Sequence, residues 1–422
     1  MHPNALLEAA TDLVHRVLRF EHPADRVVSD FFRESRALGA RERHQLTDTA
    51  FAVLRELPLL RHLARSGSGE QERRLVLLAW QGNAGFLRAA MSESEIAWLE
   101  RSKAMPRDGL PEPLRHNLPE WFAERMQRQL GDEFWPWIES IGKAAPLDLR
   151  VNVAKASRDE ALARLVAAGI AAAPTPHSPV GLRVEGKPAL QKLDIYTDGW
   201  IEVQDEGSQL LALLTGAKRG EMVVDFCAGA GGKTLALGAQ MRNTGRLYAF
   251  DVSGHRLAAL KPRLARSALS NVYPVQIAHE RDERIKRLAG KVDRVLVDAP
   301  CTGLGTLRRN PDLKWRQTPE ALAGLGEQQR KILDAAARLL KPGGRLVYAT
   351  CSPLLEEDEQ VAADFDAGAL GPSFSRLPVL ELLNRAQVSD AGPLASGNDL
   401  RLWTHRHGSD GFFAAAWERR SP

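Results

Sequence analysis

The sequence predicts a multidomain protein that combines an all-α N-terminal bundle, a small α+β module and a C-terminal α/β domain. Three observations predict this organisation. Apolar residues recur at helical spacing over about the first 100 residues, strand and helix patterns alternate from about residue 206 onward, and a glycine-rich turn joins the first of those strands to a helix. The expected domain bounds are 1–140, 146–205 and 206–422.

The N-terminal domain is predicted from helical periodicity. Its apolar residues fall three and four positions apart, as in Leu6, Leu7, Leu13, Val14, Val17 and Leu18, then Val27, Val28, Phe31 and Phe32, then Leu46, Ala50, Val53 and Leu54. The stretch 104–119 contains four prolines and indicates a linker or a cap. The aromatic-rich stretch around Trp121, Phe134, Trp135 and Trp137 indicates further helix.

The two following domains are predicted from strand patterns. LDLRVNV from residue 147, GLRVEG and WIEVQD indicate strands of the small module, and SRDEALARLVAAGI indicates a helix capped by Ser157. In the C-terminal domain, strands are expected at 222–226, 246–251, 272–277, 292–299 and 345–351. Their apolar runs are separated by helical patterns, which is typical of a parallel sheet covered on both faces. DLRLWTH and FFAAAWER predict an antiparallel hairpin that closes this sheet.

Composition and charge exclude several classes of protein. No stretch reaches the roughly eighteen apolar residues of a membrane span, so we expect a cytoplasmic protein without a membrane partner. The 57 basic residues slightly outnumber the 53 acidic ones, a mild preference for polyanionic partners. Three widely spaced cysteines without a CxxC pair argue against a disulfide framework or a zinc site, and His405 and His407 have no third candidate ligand nearby. We therefore expect no metal, and the sequence indicates no oligomeric state.

The glycine-rich turn, DFCAGAGGKT at 225–234, predicts a cofactor site. It follows a strand and opens a helix, where glycines let the backbone approach a ligand closely. The next strand ends in Asp251, whose carboxylate can accept hydrogen bonds from both hydroxyls of a ribose. Together these features indicate a nucleoside-containing cofactor. The ending GGKT also resembles a phosphate-binding P-loop, but that motif needs glycine where Cys227 stands, so NTP hydrolysis is the weaker alternative.

Two of the three cysteines lie at the ends of neighbouring predicted strands. Asp298 ends the fourth strand and is followed by Pro300 and Cys301, while Cys351 ends the fifth strand. Neighbouring strand ends in a doubly wound sheet face one crevice, so the three reactive side chains are expected to converge on one ligand. The competing interpretation is that both thiols are small buried hydrophobes.

This constellation suits methyl transfer to a pyrimidine. Carbon 5 of cytosine is a poor nucleophile, but a thiolate that adds to carbon 6 turns the ring into an enamine able to attack a sulfonium methyl group. An acid near ring nitrogen 3 favours the addition, and the proton on carbon 5 must leave before the thiol is eliminated. A second thiol can assist that proton removal or the release. The residues alone do not indicate which cysteine attacks.

The chain resembles the Sun family of RNA (cytosine-5) methyltransferases, of the kind that joins a NusB-like helical domain to a Rossmann-like class I methyltransferase domain. The motifs that carry the resemblance are VQDEGSQLLA, DFCAGAGGKT, DVSGHRL, VDAPCTGLGTLRRNPDLKWR and LKPGGRLVYATCSPLLEEDE, with LRVN, ADRVVSDFFRES and LGARERHQL as fainter extensions. The resemblance implies that the module at 146–205 binds RNA. It also implies 5-methylcytosine formation in ribosomal RNA, with transfer RNA as the alternative substrate.

The resemblance also implies residue roles. Cys351 would be the nucleophile, Cys301 would help product release, and Asp298 would contact the cytosine and the cofactor. The residues expected to bind S-adenosyl-L-methionine are Cys227, Ala228, Gly229, Ala230, Gly231, Gly232, Lys233, Asp251, Arg256 and Asp298. Arg256 shares its helix with Lys261, Arg263 and Arg266, a pattern that is otherwise typical of a solvated face.

The chain departs from the family pattern at two places. The family turn usually reads AAPGGKT, whereas Gly229 and Ala230 here replace an alanine and a proline. The family commonly places an aspartate near the adenine, but His279 and Glu280 stand at about that place and Asp282 comes later, so the adenine contact is left unassigned.

RNA contacts are expected in a basic loop after Cys301. Its residues are Arg308, Arg309, Lys314, Trp315 and Arg316, which can hold phosphates and stack a base. Surface arginines with a packed tryptophan are the alternative. Arg150 and Lys155 of the small module are further candidates through the resemblance alone. A non-catalytic RNA-binding or assembly protein is the alternative of another class, and the intact PC and TCS motifs argue against it.

Overall fold

The computed structural model describes residues 2–421 and divides into two compact units. The first unit comprises Met1–Lys143 together with Leu307–Thr318, and the second comprises Ala144–Thr306 together with Pro319–Pro422. The segment 307–318 therefore belongs to the N-terminal unit, although in the sequence it interrupts the second. Nothing in the sequence pattern predicted this exchange.

The N-terminal part of the first unit is helical, as its periodicity predicted. Its helices are α1 Pro3–Val17, α2 Ala24–Glu34, α3 Ala40–Arg55, α4 Leu57–Ala64, α5 Gln71–Ala79, α6 Ala84–Arg88, α7 Glu93–Lys103, α8 Glu112–His116, α9 Glu120–Leu130 and α10 Phe134–Gly142. Apolar side chains at helical spacing form its core, with Leu7, Leu13, Leu46 and Leu54 fully buried.

The proline-rich stretch 104–119 contains the short helix α8, and the aromatic-rich stretch forms α9 and α10. Phe122 and Trp137 pack edge to face with ring centroids 5.8 Å apart, and both are buried. This aromatic contact joins the last two helices of the N-terminal part.

The small module forms the first sheet of the second unit. Its elements are β1 Leu147–Val151, α11 Arg158–Ala167, β2 Ala172–Pro174, β3 Gly181–Val184, α12 Asp194–Thr197 and β4 Ile201–Val203. The strands lie in the order β2-β3-β1-β4, and every pair is antiparallel. Ser157 caps α11 as expected, since its hydroxyl accepts from the amide of Glu160 and the Glu160 carboxylate accepts from the amide of Ser157.

The remaining elements are the strands of a second, larger sheet and the helices that follow in the chain. They are α13 Glu206–Thr215, β5 Met222–Asp225, α14 Gly232–Gln240, β6 Arg246–Asp251, α15 Gly254–Ser267, β7 Val272–Gln276, α16 Glu283–Lys286, β8 Val292–Asp298, α17 Leu313–Arg316, α18 Pro319–Ala337, β9 Leu340–Thr350, α19 Glu359–Ala367, β10 Phe374–Arg376, α20 Val379–Arg385, β11 Ala395–Ser396, β12 Asp399–Leu402, α21 Thr404–His407 and β13 Phe412–Arg419. Of these, α17 lies in the segment that belongs to the first unit.

Nine strands within residues 2–421 form this sheet, in the order β11-β12-β13-β9-β8-β5-β6-β7, with β10 paired to β13. The five strands predicted to be parallel are parallel, and β12 and β13 form the predicted antiparallel hairpin. Both faces are covered: Val223 packs into the hydrophobic cluster on one face and Val224 into the cluster on the other. The carboxyl ends of β5, β6, β8 and β9 therefore meet at one edge.

The sheet differs from the prediction in two details. Strand β9 begins at Leu340 rather than 345, because an irregularity in its pairing with β8 accommodates the KPGG segment. The hairpin does not end the sheet, since β11 pairs with β12 and β10 pairs with β13. Across residues 2–421, no helix combines the length and hydropathy required to cross a membrane.

Candidate active site

The glycine turn between β5 and α14 is held in place by hydrogen bonds between its backbone and side chains of neighbouring elements. Gly229 and Gly231 adopt φ values of +56° and +84°, which favour glycine. The amide of Gly229 donates to Oδ2 of Asp251 at 2.8 Å, and the carbonyl of Ala230 accepts from Nη1 of Arg263 at 2.6 Å. A Cβ on Gly231 would lie 2.1 Å from a methyl carbon of Leu260. The replacement of the family's alanine and proline by Gly229 and Ala230 thus leaves a well-fixed turn.

Asp251 lies at the end of β6, beside the turn, and is 6% exposed. Besides the bond from Gly229, its Oδ1 accepts from the amide of Ser253 at 2.7 Å. Each carboxylate oxygen keeps one further lone pair, because an ionised oxygen accepts about two hydrogen bonds. The carboxylate is therefore fixed by the backbone and can still accept from a ligand.

A cavity of about 710 Å³ lies along the carboxyl ends of these strands. Every residue predicted to bind the cofactor lines it except Gly231, and Cys301 and Cys351 line it as well. Other lining residues had been given no role from the sequence, among them Gln204, Ser208, Ile277, Ala278, Gln328 and Ile332. Gln204 and Ser208 lie in the VQDEGSQLLA motif, which was the available signal for them.

The two predicted reactive thiols face each other in this cavity. Sγ of Cys301 lies 3.4 Å from Sγ of Cys351. The hydrogen bond to Cys351, together with burial, raises the pKa of Cys301 well above the ordinary value for a thiol. Loss of the Cys301 proton is therefore disfavoured.

Lys233 and Asp298 form an ion pair beside the thiols. Nζ of Lys233 lies 2.8 Å from Oδ2 of Asp298, and the two side chains are 10% and 31% exposed. Burial lowers the pKa of Lys233, but the charge of Asp298, its hydrogen bond and the charge of Cys351 together raise that pKa above its ordinary value. Lys233 is therefore a fixed cation next to the thiol pair.

Comparison with known proteins identifies the family. Residues 212–418 match the family model described as 16S rRNA methyltransferase RsmB/F, and residues 118–191 match that of the ferredoxin-like domain of RsmF/B-like methyltransferases. The chain belongs to the RsmB/F methyltransferase family. This confirms the resemblance stated from the motifs.

Individual relatives of this RsmB/F family member agree. The ribosomal RNA small subunit methyltransferase B of Sodalis glossinidius is 37% identical over 62% of this chain and 60% of its own length. The probable enzyme of that name from Synechocystis sp. is 34% identical over 71% of this chain and 66% of its own. The crystal structure of PH0851 superposes with a TM-score of 0.81 at 26% identity and covers 99% of both chains. The chain thus spans less than two thirds of the curated relatives' length.

The third cysteine of the RsmB/F chain has a different setting. Cys227 lines the cavity and packs against the hydrophobic cluster on one face of the sheet. Burial, followed by the charge of Asp225, raises the pKa of Cys227 well above the ordinary thiol value. Its thiol is therefore a neutral group in the cavity wall.

Two basic residues of the small module of the RsmB/F chain form hydrogen bonds within the second unit. Arg150 is 3% exposed, and its Nη1 donates to the carbonyl of Gly232 at 2.6 Å and to Gln204. Burial lowers the pKa of Arg150 to about 10. Nζ of Lys155 donates to the carbonyls of Asp198 and Arg266 at 2.6 and 3.0 Å. Both candidates for RNA contact are therefore engaged within the second unit.

Only some of the basic side chains on helix α15 are exposed to solvent. Lys261 and Arg256 are exposed, and Arg256 also lines the cavity, as its cofactor assignment required. Arg263 and Arg266, in contrast, form ion pairs with the buried carboxylate of Glu202. The expectation of a solvated face is wrong for these two arginines, because a helical pattern does not reveal a partner on a distant strand.

The basic segment after Cys301 packs within the first unit. Arg308 and Lys314 are 6% and 5% exposed, and Nζ of Lys314 donates to the carbonyl of Arg55 at 2.7 Å. The indole of half-buried Trp315 donates to the carbonyl of Leu54 at 2.8 Å. The side chains of Arg308, Lys314 and Trp315, from which RNA contacts were expected, are thus buried or hydrogen-bonded within the first unit.

Lys314 provides a pH-dependent test of this packing. Burial lowers its pKa from 10.5 to about 7, so the charged form destabilises the fold below pH 7 and this effect fades as the pH rises from 7 to 10.5. Lys314→Met should therefore increase the free energy of unfolding at pH 6 by about 1–3 kcal/mol, with a smaller gain or a loss at pH 9.5. Urea denaturation at the two pH values measures the difference. An equal change at both values would contradict the burial of the amine.

Two remaining predictions concern the adenine contact and metal binding. Asp282 accepts from the amides of Ala278 and Arg284 at 2.9 Å each, so it caps α16, while Ala278, His279 and Glu280 line the cavity. His407 accepts from the amide of Trp403 through Nδ1 at 2.8 Å. In the part of the chain that the structure describes, no cluster of three or more His, Cys, Asp or Glu side chains is placed to hold a metal ion.

Proposed function

We propose that the protein transfers a methyl group from S-adenosyl-L-methionine to carbon 5 of a cytosine in RNA, through a covalent intermediate on Cys351. One observation carries this proposal. Two thiols 3.4 Å apart share a cavity with a lysine–aspartate pair and a glycine-rich turn. Nucleophile, charged partner and cofactor turn are thus within one pocket, as covalent pyrimidine chemistry requires.

The residues around the turn fit this cofactor. The open space beside Gly229, where a Cβ would meet no atom within 4 Å, leaves room for the methionine part. The carboxylate of Asp251 suits the ribose hydroxyls, and the apolar edge formed by Ile277 and Ala278 suits the adenine. When bound, S-adenosyl-L-methionine supplies an electrophilic methyl group.

Cys351 is the attacking thiol in this proposal. Cys301 remains a thiol and donates to the sulfur of Cys351, and the Lys233 cation lies close enough for its charge to be felt there. Both contacts favour Cys351 over Cys301 as the attacking sulfur. As the sulfur adds to carbon 6 of the cytosine, the Lys233 ammonium passes a proton through the Asp298 carboxylate to ring nitrogen 3. Carbon 5 then becomes the nucleophile that takes the methyl group.

Release requires one proton transfer at carbon 5. Cys301 gives its proton to the departing sulfur of Cys351 and takes the proton of carbon 5, so that the electrons of the C–H bond form the C5–C6 double bond. The electrons of the S–C6 bond return to sulfur. The proton of nitrogen 3 returns through Asp298 to Lys233 in the same step. Both thiols are then restored.

We propose small-subunit ribosomal RNA over transfer RNA as the substrate, and the cytoplasm as the compartment. The printed names of the two curated relatives support the ribosomal substrate. We also propose a NusB-like fold for the helices of residues 1–140 and an RNA-binding role for the module at 146–205. Arg309 and Arg316, which are half-buried rather than fully buried, are retained as candidate phosphate contacts.

The test is methyl transfer from labelled S-adenosyl-L-methionine to unmethylated small-subunit ribosomal RNA or to transfer RNA, with the product nucleoside identified by mass spectrometry. We expect 5-methylcytosine in the ribosomal RNA. Label in transfer RNA alone would favour the alternative substrate, and RNA binding without transfer would favour a non-catalytic role. ATP hydrolysis that is lost in Lys233→Ala would favour the P-loop alternative, which the pairing of Lys233 with Asp298 opposes.

Asp251→Ala tests the cofactor assignment. The variant removes the acceptor for the ribose and one support of the turn, so S-adenosyl-L-methionine should bind about 10- to 100-fold more weakly. Isothermal titration calorimetry measures the change, with Asp251→Asn, which keeps one carbonyl acceptor, as an intermediate case. Equal affinity in Asp251→Ala and the wild type would remove Asp251 from the cofactor site.

A further inference from the structure

A buried carboxylate that the mechanism above does not use lies behind the two cysteines. Glu357 is fully buried. It accepts from the amide of Thr302 at 2.8 Å, from the hydroxyl of Thr302 at 2.6 Å and from Nε2 of Gln329 at 3.0 Å. The side chain of Ser352 also hydrogen-bonds to it. Burial raises the pKa of Glu357, and the bonds from Ser352, Thr302 and Gln329 oppose that rise.

The donors to this carboxylate belong to both cysteine loops. Thr302 directly follows Cys301, and Ser352 directly follows Cys351. The hydroxyls of Thr302 and Ser352 lie 3.4 Å apart, which repeats beside the carboxylate the 3.4 Å spacing of the two sulfur atoms. One carboxylate therefore connects the residues that follow the two thiols.

A second contact fixes the residue before Cys301. Nε2 of Gln329, on α18, donates both to Glu357 and to the carbonyl of Pro300 at 2.9 Å. The hydroxyl of Tyr348, on β9, donates to the carbonyl of Glu357 at 2.5 Å and so fixes the backbone of Glu357 itself. Cys301 thus lies between two residues that are tied, directly or through Gln329, to one buried group.

We propose that Glu357 is a positioning residue that sets the distance between the sulfur atoms of Cys301 and Cys351. The role at the release step rests on the proposed function, because there Cys301 must reach both the sulfur of Cys351 and carbon 5. The spacing itself does not depend on which substrate is used. A loop displaced by about 1 Å can cost about 100-fold in rate, which is why a group that touches no substrate can control turnover.

The variant that tests the proposal is Glu357→Gln. An amide has the same shape but only one oxygen, so its NH₂ group must face one of the donors from Thr302 or Gln329. We expect the loops to move apart and kcat to fall at least about 10-fold while KM for RNA stays within about twofold. Covalent RNA–protein adduct should accumulate, since addition needs Cys351 alone whereas release needs Cys301.

Asp293→Asn is the matched control. Asp293 is a largely buried carboxylate on the same strand as Asp298, and it accepts from the amide of Met222 at 2.8 Å, away from the thiols. The Asp293→Asn variant should lower the melting temperature of the protein without producing the covalent RNA adduct. Thr302→Val should reproduce part of the Glu357→Gln effect, and Thr302→Ser, which keeps the hydroxyl, should reverse it. Adduct in Asp293→Asn, or none in Glu357→Gln, would overturn the role at release.

A measurement without RNA separates this proposal from the proposed function. Diamide oxidises two nearby thiols to a disulfide and is itself reduced to the hydrazine, so the rate of Cys301–Cys351 disulfide formation reports their spacing. Peptide mapping should show this disulfide forming at least about fivefold more slowly in Glu357→Gln than in wild type and Asp293→Asn. Equal rates would overturn the positioning role. If the rates differ but the wild type methylates no cytosine, the proposed function fails and the positioning role stands.

Discussion

Replacement of Cys301 by alanine should leave RNA covalently attached to the protein. The thiol of Cys301 is protonated and lies 3.4 Å from the sulfur of Cys351, so it is placed to exchange protons at the release step, whereas addition to carbon 6 needs only Cys351. Turnover should fall at least about 1,000-fold, with one methylated cytosine trapped per enzyme molecule. Denaturing gels with labelled RNA measure the trapped fraction.

Cys351→Ala is the matched control for that result. It should lose both methyl transfer and adduct, and the double variant Cys301→Ala/Cys351→Ala should behave in the same way. Binding of S-adenosyl-L-methionine should change little in any of the three, because the turn and Asp251 are untouched. A covalent adduct in Cys351→Ala would show that Cys301 is the attacking thiol and Cys351 the releasing one. Methyl transfer at the wild-type rate in Cys301→Ala would show that Cys301 has no role in release.

Lys233→Met should produce the second largest effect, a loss of about 100- to 1,000-fold in the rate of methyl transfer. The substitution removes the cation 2.8 Å from Asp298 and leaves that carboxylate unpaired in the cavity that holds the two thiols. Single-turnover rates of methyl transfer from labelled S-adenosyl-L-methionine measure the loss.

Lys261→Met provides the control for loss of one positive charge. Lys261 is exposed on α15 and does not line the cavity, so its replacement should change the single-turnover rate by less than about twofold. A rate for Lys233→Met within about threefold of the wild type would show that the ion pair serves packing only.

The features that could be predicted from the sequence are those fixed by local pattern and by sheet geometry. Apolar runs separated by helices specify parallel strands, and parallel strands bring their carboxyl ends together. Asp251 and Asp298 each terminate such a strand and Cys351 directly follows one, so their meeting in one cavity follows from topology alone. The motif match added the identity of the turn.

Features that depend on distant partners could not be predicted in this way. A lysine in a basic segment gives the same pattern whether it is solvated or, like Lys314, buried against the carbonyl of Arg55. Arg150 reaches the carbonyl of Gly232, 82 positions away, and no spacing rule signals that contact. Glu357 lies in an acidic run, EEDE, that suggests a solvated segment, yet it is fully buried. Each of these side chains is explained only by its tertiary neighbours.

The measurement that tests the central claim most directly is mass spectrometry of the adduct trapped by Cys301→Ala. After digestion with nuclease and protease, we expect a single modified peptide in which Sγ of Cys351 is bonded to carbon 6 of a cytosine that carries a new methyl group on carbon 5. A bond to Cys227, a methyl group elsewhere on the base, or full release with no modified peptide would contradict it.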